Sequence, residues 1–157
     1  MPEIAFIMGK SSSGKDHIFK ALIEDETLGL STITMYTTRP MRAGETDGVE
    51  YYFVDDNKVC EFEKNNKIIE MRKYQTVYGE WKYFTADDGQ IESGSGKRYI
   101  VIGTIEAYNK FVEYFGKECM LPIYIEVEDG LRLQRAIKRE QELSLIHISE
   151  PTRPISI

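Results

Sequence analysis

The sequence predicts an α/β fold in three layers, with a mainly parallel sheet and an inserted α+β lobe. Three observations predict it. Short continuous apolar runs alternate with segments of helical spacing, the pattern of βαβ units. A Gly/Ser/Lys loop joins the first apolar run to the first helical segment. A middle stretch, about 50–85, is richer in aromatic strand residues and breaks the alternation.

In chain order, Ile4–Met8 is a short apolar run, as expected of a strand buried on both faces. Asp16–Asp25 follows with apolar residues at helical spacing (Ile18, Leu22, Ile23). Ser31–Tyr36 is rich in β-formers, and Thr37–Gly48 is a polar loop. Glu50–Val54 and Ile68–Tyr74 read as strands around a helix near Asp56–Asn65. Tyr99–Ile102 is a second buried run, Ile105–Tyr114 an amphipathic helix, Pro122–Val127 a strand and Leu131–Glu140 a basic helix. The cluster Ser93-Gly94-Ser95-Gly96 is a plain turn.

A length of 157 residues, 41% hydrophobic and 29% charged, suits one domain with a core of its own. Twenty basic against 26 acidic residues leave a net charge of −6, which argues against a general nucleic-acid-binding face. Cys60 and Cys119 have no zinc or disulfide spacing, which fits a reducing compartment. Ile4–Met8 is too short for a leader core or a membrane span, so a soluble cytoplasmic domain with no membrane partner is expected.

Gly9-Lys10-Ser11-Ser12-Ser13-Gly14-Lys15 fits G-x-x-x-x-G-K between a strand and a helix. Glycines there let the backbone wrap a phosphate, so that successive N–H groups and the helix N-terminus point at it. Lys15 adds a point charge for the outer phosphates. The candidate ATP-binding set is therefore Gly9, Ser11, Ser12, Ser13, Gly14, Lys15 and Asp16. Asp16 stands where the pattern wants Ser or Thr on Mg²⁺, and two readings of it stand side by side. It ligates the metal itself, or it caps the helix.

Downstream, Arg39 and Arg42 flank Pro40 in a loop the proline stiffens, and their planar forks suit bidentate capture of phosphate oxygens. One group would hold a donor nucleotide and the other an acceptor phosphate.

Here the chain resembles the guanylate kinase family, from Ile4 to about Gln141. The resemblance rests on G-x-x-x-x-G-K, on T-T-R-x-x-R-x-G-E-x-x-G-x-x-Y-x-F-V over 37–54, on N-N-x-x-I-E over 65–70, and on a late R-x-x-x-R. It implies a P-loop fold whose inserted lobe, about 36–85, binds the nucleoside monophosphate. The implied reaction is ATP + (d)GMP giving ADP + (d)GDP with Mg²⁺. Arg39, Arg42 and Tyr51 match the residues that hold the acceptor phosphate. Glu70 matches the glutamate that accepts from guanine, whose N1–H and N2–H form an adjacent donor pair suited to a carboxylate. Tyr83-Phe84-Thr85 resembles the Tyr-Gly-Ser/Thr element, giving Tyr83 a phosphate contact and Thr85 a base contact; Tyr78-Gly79 competes for that match. Arg135 and Arg139 match basic residues near the lid. Lys15, Arg39, Arg135 and Arg139 are thus the candidate catalytic set.

Three positions depart from the family pattern. Ile102 and Thr104 stand where an Asp-x-Asp is expected, the first aspartate tied to metal and the second to guanine. Met35 takes the place of a base-contacting serine. Two other readings therefore remain open: a kinase for another nucleoside monophosphate, and a catalytically silent binding module of the same fold.

Residues 143–153, Leu-Ser-Leu-Ile-His-Ile-Ser-Glu-Pro-Thr-Arg, resemble a translated transposase adapter of the kind used in sequencing libraries, and 154–157 continue it. On that reading the domain comprises 1–142, is cut mid-helix and lacks the family's C-terminal part, and 143–157 is a non-native tail. His147 then carries no function, leaving His17 as the one native histidine.

Overall fold

Ile4–Gly9 forms β1 at the centre of a parallel four-stranded sheet, the first sheet. The structure, a computed structural model, describes residues 1–146. β1 lies between β7 (Arg98–Ile102) and β8 (Met120–Ile125), with β2 (Leu30–Thr32) outside β7. Neighbours on both sides and cover on both faces explain why β1 is a continuous apolar run. Ile4, Phe6 and Met8 point to one face and pack with Phe111 and Ala107 of α3 (Ile105–Phe115). The Phe6 ring meets Tyr108 and Phe111 edge-on at 5.6 and 5.2 Å. Ile7 and Ile100 are buried on the opposite face, where α1 (Lys15–Glu24) crosses β1 and β7.

The second sheet carries the lobe, in the order β4 (Tyr52–Phe53), β3 (Tyr36–Thr37), β6 (Gly79–Ala86), β5 (Ile68–Thr76). Its alternate faces have different fates. Tyr36, Phe84 and Ala86 face α2 (Asp56–Lys64) and form a small core with Val59, Phe62 and Met71. Asp55 starts that helix by accepting from the Lys58 N–H at 3.0 Å. The other face holds Glu70, Arg72, Tyr83 and Thr85, since Glu70 pairs with Thr85 and Arg72 with Tyr83 across β5 and β6.

A bulge at Ile69 sets that arrangement. The register slips between Ile68 and Glu70, so one extra residue stands opposite the β6 ladder. Ile68 stays in the lobe core, whereas Ile69 is buried in the main core with Ile4, Phe6 and Phe111.

Two strand expectations change. Ser31–Tyr36 is not one strand: the chain crosses between sheets at Ile33–Met35, where the Thr34 backbone exchanges bonds of 2.8 and 3.0 Å with the Gln90 side chain. β6 carries no clean strand signal in the sequence, because Glu80 and Lys82 dilute its apolar character; the hairpin with β5 supplies its ladder. The chain ends its described part in α4 (Asp129–Ile146), which runs four residues into the segment read as a tail; residues 147–157 of that segment lie outside the described residues. Among the described residues β8 is an edge strand, with Leu121 and Tyr124 exposed; Leu133 and Ile137 of α4 are exposed as well. Among the described residues no helix is long and apolar enough to cross a membrane.

Candidate active site

The loop after β1 has a backbone that requires glycine at two positions. A Cβ at Gly9 would stand 2.7 Å from Ser13 Oγ and 2.9 Å from the Ile125 carbonyl, so glycine alone fits. Ser12 (φ 61) and Gly14 (φ 87) are left-handed, which turns successive N–H groups inward as a nest at the start of α1. Ser13 donates its N–H to the Lys10 carbonyl at 3.2 Å, closing the turn. The hydroxyls of Ser12 and Ser13 are buried without a hydrogen-bond partner, as expected of a cradle whose polar lining faces a polyanion. Lys15 opens α1 and Asp16 follows in its first turn, exposed. No side-chain hydrogen bond caps α1 and its N-cap is Gly14, so the capping reading of Asp16 is not realised.

α4 reaches back to this loop. Arg135 Nη1 donates to the Ser12 carbonyl and Arg132 Nη1 to the Ser11 carbonyl, both at 3.2 Å. Arg132 also pairs with Asp129, which lies 3.8 Å from Lys10 Nζ. Between β8 and α4 a cleft of about 300 Å³ opens beside Lys10, Tyr124, Glu126 and Arg132. Arg139 lies one turn beyond Arg135, on the exposed part of α4. Arg132 was not among the expected residues; its spacing of three from both Asp129 and Arg135 is the signal that could have found it.

On the lobe, Arg39 is buried at 4% exposure where β3 ends. Its backbone N–H donates to Thr37 Oγ1 at 3.1 Å, which fixes the turn. Its fork is held by Glu45 through two bonds of 2.8 Å, and Nη1 also donates to the Pro40 carbonyl at 3.0 Å. The guanidinium carbon lies 5.6 and 5.5 Å from the centroids of the Tyr51 and Phe53 rings. The Glu45 bonds raise the Arg39 pKa beyond its already high value against the opposing effect of burial, and Tyr83 adds to the rise. Reciprocally, the Arg39 bonds and then the Arg42 N–H hold Glu45 down at about 2. Arg42 itself is exposed, its backbone N–H 2.7 Å from Glu45 Oε1. The structure thus gathers Arg39, Tyr51 and Tyr83, with Tyr51 and Tyr83 meeting edge-on at 5.6 Å, and leaves the Arg42 fork to solvent. Glu45, the group that orients Arg39, was missed as a site residue because its partner is defined only by the folded loop.

Two residues along the same face, Glu70 is 5% exposed and accepts from Thr85 Oγ1 at 3.1 Å. Burial raises its pKa, against the opposing pull of Arg72 and Thr85. Arg72 Nε lies 3.4 Å from Glu70 Oε2 and its Nη2 lies 3.9 Å from Met35 Sδ. Tyr78 stands at the hairpin tip, 83% exposed and stacked on Trp81, whereas Tyr83 and Thr85 lie on the face with Glu70. Thr104 caps α3 by accepting from the Ala107 N–H at 3.2 Å.

Residues 2–152 match the family model described as guanylate kinase. The chain belongs to the guanylate kinase family. It is 37% identical over 100 residues to the guanylate kinase of Symbiobacterium thermophilum, covering 64% of this chain and 44% of that protein. It is 30% identical over 128 residues to that of Mycoplasma mobile, covering 80% and 61%. Guanylate kinase 2, chloroplastic/mitochondrial, of Oryza sativa subsp. japonica is 28% identical over 145 residues, covering 91% and 49%. The chain therefore spans about half of the length of these curated relatives. A crystal structure of guanylate kinase from Anaplasma phagocytophilum shares the fold, with TM-score 0.59 at 22% identity over 94% of this chain and 72% of that one. Membership accounts for the pairing of a P-loop body with an inserted lobe, and Met35, Ile102 and Thr104 mark where this guanylate kinase family member departs from the expected pattern.

Proposed function

We propose that the protein transfers the γ-phosphoryl group of ATP to GMP, and to dGMP, in line. The observation that carries this reading is a buried carboxylate, Glu70, on the same sheet face as the Arg39–Tyr51–Tyr83 cluster. That face offers an acceptor for a base's donor pair at one end and cationic and phenolic groups at the other.

Phosphoryl transfer asks little covalent chemistry of a protein, so positioning and charge neutralisation do most of the work. Lys15 and the N–H groups of the Gly9–Gly14 loop would hold the donor phosphates. Arg135, already bonded to the loop at Ser12, would neutralise transferring charge, with Arg139 one turn further along the same helix. Arg39, Arg42, Tyr51 and Tyr83 would hold the acceptor phosphate, Glu45 keeping the planar Arg39 fork in place. Glu70 and Thr85 would take the guanine. The unpartnered hydroxyls of Ser12 and Ser13 and the exposed first-turn carboxylate of Asp16 fit an Mg²⁺ carried in with ATP. Bound there, Mg²⁺ would neutralise the phosphate oxygens, and it needs few protein ligands beyond them. Closure of the lobe over the loop would exclude water.

Met35 and Thr104 favour a second reading, a different base on the acceptor, and one assay separates the two. ADP release by the full-length protein with ATP and Mg²⁺ is expected to depend on GMP. It should fall by about 100-fold or more in Lys15→Ala and in Arg39→Ala. Turnover with AMP, CMP or UMP instead would establish the second reading. A folded protein inactive with all four would be a silent binding module.

A further inference from the structure

Arg72 sits two residues from Glu70 on one strand face, so both side chains rise from the same side of the lobe sheet. Its guanidinium lies between two groups: the Glu70 carboxylate, 3.4 Å from Nε, and the Met35 thioether, 3.9 Å from Nη2. An arginine carries five N–H donors and no acceptor, and a thioether sulfur is a weak acceptor. Arg72 Nε is buried with no hydrogen-bond partner, and the side chain as a whole is 34% exposed. Nε is turned to the carboxylate, and the terminal nitrogens, with only the weak Met35 contact, keep donors to offer a ligand.

We infer that Arg72 reads the carbonyl oxygen of the purine, so that Glu70 and Arg72 together match the whole Watson–Crick edge of guanine. This rests on the reading of the lobe as a GMP site. That edge presents a carbonyl oxygen (O6), an N1–H and an N2–H in a row. A carboxylate takes the two N–H donors and leaves O6 wanting a donor. The adjacent guanidinium supplies it, as arginine does for guanine in other settings. Met35 stands where the family resemblance places a base-contacting hydroxyl, and the Arg72 fork arrives at that same point. The donor missing at Met35 is thus restored from β5, two strands away across the lobe sheet. Adenine in this position would set its amino group against the guanidinium and its N1 acceptor against the carboxylate, two mismatches at once.

The test is a cycle at one ligand atom, run on the full-length protein. Binding of GMP, 6-thio-GMP and AMP is measured calorimetrically for wild type, Arg72→Met and Arg72→Lys, with melting curves for each. 6-Thio-GMP keeps the N1–H and N2–H donors and replaces only O6 by sulfur, a poorer acceptor. Wild type should bind GMP about 10-fold or more tighter than 6-thio-GMP. In Arg72→Met that preference should collapse to within about twofold, with GMP affinity down by about 10–100-fold. Arg72→Lys, which keeps the charge and a donor, should recover part of the preference, and it serves as the readout if the methionine variant fails to fold. An unchanged preference in either folded variant overturns the inference, as does an equal loss for GMP and 6-thio-GMP, which would mean that Arg72 acts through Glu70 or the phosphate. A wild type that binds AMP or no nucleotide in place of GMP would show instead that the GMP reading has failed, and the role of Arg72 with it.

Discussion

Arg39 and Glu45 neutralise each other in the folded loop, with the Arg42 N–H as a further donor to Glu45. Glu45 is held at about 2 by its bonds to Arg39 and the Arg42 N–H, well below the ordinary carboxylate value of 4.5. The sign follows from linkage. A depressed folded-state pKa adds stability above the unfolded value, and that stability is lost as pH falls from about 4.5 towards 2. Glu45→Gln should therefore be less stable than wild type at pH 6, and its urea midpoint should fall less steeply between pH 5 and 3. Parallel curves for the two proteins would show that the pair contributes nothing to acid sensitivity. Glu70 has the opposite sign: burial raises its pKa, so its ionisation works against folding as pH rises above the ordinary glutamate range. A buried carboxylate kept at such a cost is what a donor-pair ligand would repay.

Among the elements, α4 acts on the phosphate loop from outside it. Its first two turns place Arg132 and Arg135 on consecutive loop carbonyls, Ser11 and Ser12. A carbonyl so engaged stays turned outward, which keeps the following N–H groups turned in. A charge-assisted hydrogen bond of this kind contributes about 1.5–3 kcal/mol. Arg132→Met should raise KM for ATP by about 10-fold with little change in KM for GMP, measured in the ADP-release assay. An unchanged KM for ATP would reduce the arginine to a surface partner of Asp129. In the lobe, the bulge on β5 does comparable work. One extra residue sends Ile69 towards the main core and brings Glu70 opposite Thr85, so the element's irregularity positions both.

Across the whole molecule, two sheets share their support through few side chains. Ile69 and Ile91 enter the main core with Ile4, Phe6 and Phe111, while the lobe keeps its own cluster around Tyr36, Val59 and Phe84. Ile69→Ala should cost about 2–5 kcal/mol, since it empties a buried site bounded by rigid strands. Hydrogen exchange should then speed up in β1 and β5 together. Acceleration confined to β5 would mean that lobe and body are stabilised independently.

The parts legible in the sequence are those governed by neighbours along the chain. Ile4–Met8 reads as a strand because a central parallel strand needs apolar residues on both faces, and the Gly9–Lys15 loop reads as a phosphate cradle because Gly9 admits a close approach and Gly14 a left-handed turn. The placement of Glu70 opposite Thr85 needs a bulge that periodicity does not show, and β6 draws its strand character from pairing with β5. Arg132 acquires its contact from Ser11, 121 residues away, Arg72 from Met35, 37 residues away, and Arg39 its partner from the closure of a loop. Local backbone preference is written residue by residue, and so the sequence alone determined the fold class and the phosphate loop. The contacts of a guanidinium depend on which distant groups the packed sheets bring within 3–4 Å of it, and only the tertiary structure decided those.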